Sequence, residues 1–148
     1  MYCPLNNIGR SAPYSTVSAR WGPIIQKQAP SNIDWRAMEP HRQPSEFGPH
    51  YWYMLHSMAL NYPMNPTEFA KKKMKAFIEA IPFLLPCRDC TEHAKEFMAS
   101  ANVDEALLGK KQLFTFFWNF HNLVNKRLGK QSMPFNDALN MYSTQKVK

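Results

Sequence analysis

The feature of this sequence with the clearest chemistry is a pair of cysteines separated by two residues. Cys87 and Cys90 form the pair, and one further cysteine, Cys3, lies far from it in the chain. Two thiols at this spacing can close a disulfide without large backbone movement when they begin a helix. A helix amino terminus and the intervening Arg88 both favour a thiolate, whereas Asp89 partly opposes them. A disulfide that closes so short a loop would add little to the stability of the fold. The pair therefore predicts redox chemistry or metal binding.

Three specific interpretations of the pair compete. A zinc site needs four nitrogen or sulfur ligands, and although His93 follows the pair closely, the chain has no second cysteine pair. A thioredoxin-like oxidoreductase needs strands that alternate with helices, and no convincing strand pattern is present. Two buried structural thiols are the simplest alternative. The spacing alone therefore leaves the choice open.

A second candidate site is a group of polar residues on one predicted helix. His121, Asn122 and Asn125 recur at steps of three and four residues, so they share one side of that helix beside an apolar stripe. Buried amides and imidazoles are costly unless hydrogen bonds satisfy them. A large, flat cofactor with many heteroatoms would satisfy them, with Arg127 and Lys130 near its phosphates. A polar network between helices is the alternative, and the combined spacing favours the ligand.

The elements that must position these residues are helices, because apolar residues recur at helical spacing from Phe47 onward. A first helix should stop at Pro63, and a second should restart near Thr67. Pro82 should kink or end the second helix. Residues 1–46 are rich in proline and lack periodicity, which predicts an irregular amino-terminal arm.

The remaining helices complete a bundle. A third helix begins at the cysteine pair, and a fourth ends at Gly129, a residue suited to terminate it. A short last helix runs from Pro134 through Tyr142. The sequence therefore predicts an all-α domain at residues 47–148, built as an antiparallel four-helix bundle with a short fifth helix.

Charge and composition narrow the classes of function. The formal net charge of +7 would suit an anionic partner, but the sequence contains no arginine-rich block or nucleic-acid motif. We therefore do not expect nucleic-acid binding. The longest apolar runs are too short to span a bilayer, and prolines and polar residues interrupt any secretory signal at the amino terminus. We expect no association with a membrane.

Three blocks of the sequence resemble the Erv/ALR-type family of FAD-linked sulfhydryl oxidases. The first covers residues 48–56 and is followed by Tyr62 and Pro63, the second covers 86–93, and the third covers 121–130. Their order, spacing and residue types agree with the family. This agreement is far more specific than any one block.

The resemblance implies a helical bundle that holds FAD at its mouth, usually as a homodimer. Cys90 would face the flavin, and Cys87 would be the outer cysteine that substrate thiolates attack. The substrates would be protein thiols, with a thioredoxin-like relay protein as one candidate, and the electrons would leave to oxygen as hydrogen peroxide. Carried over position by position, the family pattern assigns these residues to the cofactor: Gly48, Trp52, His56, His93, Trp118, His121, Asn122, Val124, Asn125, Arg127, Leu128, Lys130 and Tyr142. It assigns none to a metal.

The sequence also departs from the family pattern. Phe116 stands where many members carry a tryptophan, and the extra structural disulfide of cellular members is absent. The resemblance is therefore closest to the short oxidases of large DNA viruses, which implies a host cytoplasm or a virion as the location; the mitochondrial intermembrane space is the alternative. A second, shuttling cysteine pair is absent too, and we interpret Cys3 as a surface thiol.

Two functions of other classes compete with the oxidase. Core packing alone would explain Trp52, His56 and Tyr142, because each lies on an apolar helical stripe. A helical interaction module with a basic surface would then use the cysteines only structurally. A zinc-stabilised helical domain would bind stoichiometric metal. Bound FAD separates the oxidase from both.

Overall fold

The computed structural model describes residues 31–38, 43–144 and 147. The chain divides into two units, Met1–Met38 and Glu39–Lys148, which are described separately. In the first unit, residues 31–38 contain turns, and Asp34 Oδ1 accepts a hydrogen bond from the Arg36 amide at 3.0 Å. Cys3 lies outside the described residues, so its interpretation as a surface thiol stays a prediction.

The described part of the second unit contains six helices and no strand, which confirms the predicted all-α fold. They are α1 (Pro44–Asn61), α2 (Glu68–Leu84), α3 (Arg88–Ser100), α4 (Val103–Ala106), α5 (Lys110–Arg127) and α6 (Phe135–Tyr142). Four of them are the long helices of the predicted bundle, and α6 is the predicted short helix that follows them. None of the described helices has the length and apolar character that crossing a bilayer requires.

Helices α1 and α5 run antiparallel through the centre of this unit. Trp52 in the middle of α1 stacks on His121 in the carboxyl-terminal half of α5. At the other end, the Lys110 amide donates to the Pro63 carbonyl at 3.1 Å. The interface is apolar, and its most deeply buried members are Leu55, Ala59, Leu113, Phe114 and Phe117. Burial of these side chains fixes the register of the two helices, and with it the relative positions of their polar residues.

Helices α2 and α3 form the second antiparallel pair. Thr67 caps α2, because its Oγ1 accepts from the Ala70 amide at 3.2 Å. Of the two outcomes expected at Pro82, an end of the helix does not occur, because α2 continues to Leu84; a kink there stays a prediction. A proline this close to the carboxyl end removes one backbone hydrogen bond, and Pro82 is buried in the core together with Ile81.

The end of α5 brings the chain back toward the polar residues of that helix. Gly129 has a positive φ of 67°, which a residue without Cβ adopts at no cost. The Lys130 amide then donates to the Asn125 carbonyl at 2.8 Å, and the Gly129 amide donates to the Lys126 carbonyl at 3.1 Å. This is a Schellman motif, and it confirms Gly129 as the terminator of α5.

Two details of the helix prediction were incomplete. Helix α1 begins at Pro44, before the predicted boundary of the arm. The short helix α4 was missed because four residues are too few for a periodic pattern. Its only signal is Asn102, whose Oδ1 accepts from the Glu105 amide at 3.1 Å. The division into an arm at 1–46 and a domain at 47–148 stays a prediction.

Candidate functional site

The cysteine pair lies at the amino end of α3, as its spacing predicts. Cys87 is the capping residue, and a disulfide joins it to Cys90 in the first turn, with the two Cα atoms 5.2 Å apart. The Cys90 amide points at Cys87 Sγ at 3.3 Å, and the Thr91 amide donates to the Cys87 carbonyl at 3.0 Å. The helix end thus directs an N–H toward the sulfur of Cys87, which favours a thiolate there after the disulfide opens.

A cavity of about 610 Å³ lies beside this pair. Cys90 lines the cavity and Cys87 does not, so the two sulfurs have different surroundings. The volume suits an organic cofactor rather than a single ion. Most of the predicted cofactor residues line it, namely Gly48, Trp52, His93, His121, Val124, Asn125, Arg127, Leu128, Lys130 and Tyr142.

The other predicted cofactor residues, His56, Trp118 and Asn122, do not line the cavity. The indole Nε1 of Trp118 and the Nδ2 of Asn122 both donate to the Met133 carbonyl, at 2.8 Å and 3.0 Å. Asn122 Oδ1 accepts from the Met133 amide at 2.7 Å. Met133 itself lines the cavity. Trp118 and Asn122 therefore support the wall through the segment that joins α5 to α6.

The wall consists of rings that stack in pairs. Trp52 and His121 lie nearly parallel, with centroids 4.1 Å apart and planes 6° apart. His56 and Tyr142 form the second pair, at 4.2 Å and 13°. The two pairs meet where His56 Nε2 lies 3.4 Å from His121 Nδ1. Helices α1, α5 and α6 each contribute to this wall, so only their packing assembles it.

The rings of Trp52, His56, His121 and Tyr142, called the ring wall, carry no charge at neutral pH. Burial, with a smaller effect of the neighbouring His121, lowers the pKa of His56 to about 4. Burial and the nearby Lys130 lower the pKa of His121 to about 4 as well. Burial also raises the pKa of the Tyr142 phenol. Both imidazoles are neutral at pH 7, and each therefore offers one N–H and one acceptor nitrogen.

Two basic side chains, Arg127 and Lys130, lie at the edge of the cavity. Arg127 forms an ion pair with Glu96 of α3, and this pair lowers the pKa of the Glu96 carboxyl. Lys130, placed by the turn after α5, has no ion-pair partner among the described residues. Its ammonium is thus available to an anionic group such as a phosphate, whereas Arg127 is shared between Glu96 and any ligand.

Several residues that line the cavity were not predicted, and they include Tyr51, Ile81, Leu85, Phe120 and Met133. Tyr51 also donates its hydroxyl to the Leu84 carbonyl at 2.6 Å, which ties α1 to the segment before the cysteines. Tyr51 could have been predicted as a lining residue, because it is adjacent in sequence to Trp52. Ile81 and Leu85 gave none, because an apolar residue on a helix stripe does not reveal which neighbour it will meet.

No other described feature competes with this cavity for the chemistry. Residues 31–38, 43–144 and 147 contain no group of three or more histidine, cysteine or acidic side chains arranged to hold a metal ion. A second depression of about 480 Å³ lies between α3, α4 and α5, and neither cysteine nor histidine lines it. The disulfide and the ring wall therefore define the candidate site.

Comparisons with known proteins identify the family. The sequence model of the Erv1/Alr family matches residues 49–145. A protein of Invertebrate iridescent virus 3, named as a candidate FAD-linked sulfhydryl oxidase, is 38% identical over 99 residues, which are 67% of this chain and 67% of that protein. The FAD-linked sulfhydryl oxidase ERV1 of Arabidopsis thaliana is 30% identical over 142 residues, covering 87% of this chain and 73% of that protein.

The fold is also that of solved family members. The crystal structure of the yeast Erv1 core aligns with a TM-score of 0.65 at 25% sequence identity, covering 79% of this chain and 97% of that chain. The match to the family extends over both cysteines, the ring wall and the basic edge of the cavity. These findings confirm the resemblance seen in the three sequence blocks. The chain belongs to the Erv1/Alr family.

Proposed function

We propose that this protein is an FAD-dependent thiol oxidase that forms disulfide bonds in protein substrates and reduces oxygen to hydrogen peroxide. The observation that carries the proposal is the position of Cys90, which lines a cofactor-sized cavity while its disulfide partner stays outside it. The relatives that share the family are named as FAD-linked sulfhydryl oxidases. Their names agree with the chemistry that this arrangement allows.

The cysteines carry out the exchange with substrate. A substrate thiolate attacks Cys87 Sγ, so a mixed disulfide forms, the bond to Cys90 breaks, and Cys90 leaves as a thiolate. A second substrate thiolate attacks the substrate sulfur of the mixed disulfide and releases Cys87. The substrate has then lost two electrons and gained a disulfide, and the cysteine pair is reduced. The N–H of Cys90, which points at Cys87 Sγ at 3.3 Å, stabilises the departing Cys87 thiolate.

The residues that line the cavity fit FAD in their chemistry. Trp52 and Tyr142 offer flat apolar surface, His121 and Asn125 offer hydrogen bonds, and Lys130 offers a cation for phosphate. In such a site FAD supplies a two-electron acceptor next to Cys90 and a route for those electrons to oxygen. The aromatic side chains would exclude water from the cofactor, and Cys90, which lines the same cavity, would face it.

A homodimer and a viral setting belong to the same proposal. Tyr53 and Met54 on α1 are exposed large apolar side chains, and they supply a surface on which a second copy could pack. Light scattering of the purified protein tests the dimer. The relatives include proteins of large DNA viruses and mitochondrial enzymes. We propose a host cytoplasm or a virion as the location, with the mitochondrial intermembrane space as the alternative.

The decisive experiment is an absorption spectrum of the purified protein, recorded before and after addition of dithiothreitol in air. The oxidase predicts flavin bands that bleach and then recover, together with oxygen uptake and peroxide formation. A colourless protein that cannot be reconstituted with FAD would contradict the proposal. Steep salt dependence of DNA binding would then support an interaction module, and stoichiometric zinc with unfolding by chelators would support a metal-stabilised domain.

A further inference from the structure

Tyr51 connects the lining of the cavity to the segment that carries the cysteines. It lies on α1 directly before Trp52, and its side chain lines the cavity. Its hydroxyl donates to the Leu84 carbonyl at 2.6 Å. The ring of Phe47, one helical turn earlier on α1, packs edge-on against it, with ring centroids 5.5 Å apart. The Tyr51 side chain is therefore held by two contacts, a ring and a hydrogen bond.

The carbonyl that accepts this hydrogen bond lies at the end of α2. Leu84 is the last residue of the helix, and carbonyls in a last turn have no amide partner within the helix. The chain leaves the helix in an extended conformation at Leu85, and the next residue, Pro86, has no N–H to donate. A side chain from α1 therefore supplies the donor that α2 itself does not.

Only two residues separate Leu84 from the disulfide. Leu85 and Pro86 join it to Cys87, which caps α3. The proline ring fixes one of the backbone dihedral angles of this link. The position of the Leu84 carbonyl therefore restricts where the start of α3 can lie. Leu85 and Cys90 both line the cavity, so the link and the inner cysteine lie at the same face of it.

The hydrogen bond from Tyr51 matters most after the disulfide has opened. While the bond between Cys87 and Cys90 is intact, it closes the first turn of α3 covalently. During exchange with a substrate that bond is broken, and a bulky protein is attached to Cys87. The contact between Tyr51 and Leu84 involves no sulfur, so it persists in this state and resists displacement of the link by the substrate.

We infer that Tyr51 is a positioning residue whose hydroxyl holds the start of α3 against the cavity, so that Cys90 stays within reach of the flavin during exchange. The inference rests on the proposed function for the identity of the ligand. After exchange, the two thiols pass two electrons and two protons to the flavin, and the disulfide re-forms. Loss of the hydroxyl alone should slow this transfer and leave the affinity for FAD unchanged, because the ring still lines the cavity.

Tyr51→Phe removes this hydroxyl and keeps the ring, and Tyr62→Phe is its matched control. The Tyr62 hydroxyl also donates to a backbone carbonyl, that of Leu107 at 3.3 Å, but Tyr62 lies beyond the carboxyl end of α1 and outside the cavity lining. With saturating dithiothreitol and no oxygen, rapid mixing should show flavin reduction about tenfold slower in Tyr51→Phe, as for one lost hydrogen bond. Tyr62→Phe should reduce flavin at the wild-type rate. The Kd for FAD should stay within about twofold of wild type in both variants.

Hydrogen exchange of the anaerobically reduced, FAD-loaded protein provides a readout that does not depend on turnover. Mass spectrometry should show faster exchange of the amides of residues 87–91 in Tyr51→Phe, and wild-type exchange there in Tyr62→Phe. Wild-type flavin reduction in Tyr51→Phe, equal slowing in both variants, or faster exchange across the whole domain would each overturn the inference. Weaker FAD binding by Tyr51→Phe alone would also overturn it, because the hydroxyl would then serve the ligand directly. A wild-type protein that binds no FAD would instead contradict the proposed function.

Discussion

The ring wall of the cavity is assembled from distant parts of the chain, whereas the cysteine turn, residues 87–90, is formed by neighbouring residues. The wall brings Trp52, His56, His121 and Tyr142 together from three helices, in a layer that tertiary packing holds fixed. The cysteine turn is local, because Cys87 and Cys90 lie in one helical turn and both sulfur-bearing residues are partly exposed. The wall suits a group that stays bound, and the turn suits a bond that opens and closes in every cycle.

This difference explains how one small fold separates the binding of a flat ligand from thiol–disulfide exchange. A rigid, neutral wall loses little entropy when a flat ligand binds, because its side chains are already ordered. A disulfide at the end of a helix can accept a large substrate without disturbing that wall. The two regions meet at Cys90, which belongs to the turn and also lines the cavity. Each of the following changes should affect one region more than the other.

The largest effect is expected from Cys90→Ser, which removes the disulfide of the cysteine turn and leaves the ring wall unchanged. Thiol-dependent oxygen uptake should fall by at least about 1000-fold, because no other described residue can replace the sulfur in exchange. The protein should remain yellow. Cys3→Ser is the control and should keep its activity. Activity close to wild type in Cys90→Ser, measured with an oxygen electrode, would remove Cys90 from the mechanism.

Phe117→Ala should damage the wall through its support. Phe117 is completely buried on α5, so its truncation leaves a cavity and should cost about 3–5 kcal/mol in the free energy of unfolding. Phe69→Ala is the control, because Phe69 is 65% exposed and its loss should cost less than about 0.5 kcal/mol. Denaturant unfolding of both variants measures the difference. Similar costs for the two would show that the interior of α5 is not the core of the domain.

The neutral histidine pair predicts a loss of stability in acid. Free histidine takes up a proton near pH 6.5, whereas burial lowers the pKa of His56 and of His121 to about 4. Between these values the unfolded chain binds more protons, so the free energy of unfolding falls as pH falls from 6.5 toward 4. At about 1.4 kcal/mol for each pKa unit, one histidine contributes about 3 kcal/mol.

Guanidine unfolding at a series of pH values tests this slope. His56→Gln removes one member of the pair and should make the slope shallower, although the two histidines are coupled and their contributions do not simply add. A wild-type protein whose stability stays constant from pH 7 to about pH 4.5 would show that the imidazoles are not neutral and buried together.

The smallest effect is expected from Asn122→Ala. The variant loses the Nδ2 hydrogen bond to the Met133 carbonyl and the Oδ1 hydrogen bond from the Met133 amide, at 3.0 Å and 2.7 Å. We expect a cost of about 1–3 kcal/mol and weaker FAD binding, with the reduction of the disulfide by dithiothreitol unchanged. Unaltered FAD affinity in this variant would show that the segment after α5 does not shape the wall.

Much of the architecture could be predicted because its signals are local. The helix restart near Thr67, the terminator Gly129 and the proline before α6 are predicted from neighbouring residues, and the structure confirms all three. The sequence left open whether α2 would end at Pro82 or continue through it, since the outcome depends on burial that the chain acquires only in the fold. Helix α4 was too short to produce a pattern.

The sequence by itself determined which residues could do chemistry: the cysteine spacing, and the polar stripe of His121, Asn122 and Asn125 on one helix. Both follow from covalent connectivity and helix periodicity, which act over a few residues. Only the tertiary structure decided which of these residues line the cavity. Cys90 and His121 line it, whereas Cys87 and Asn122 do not, because those positions depend on how helices distant in sequence pack against one another.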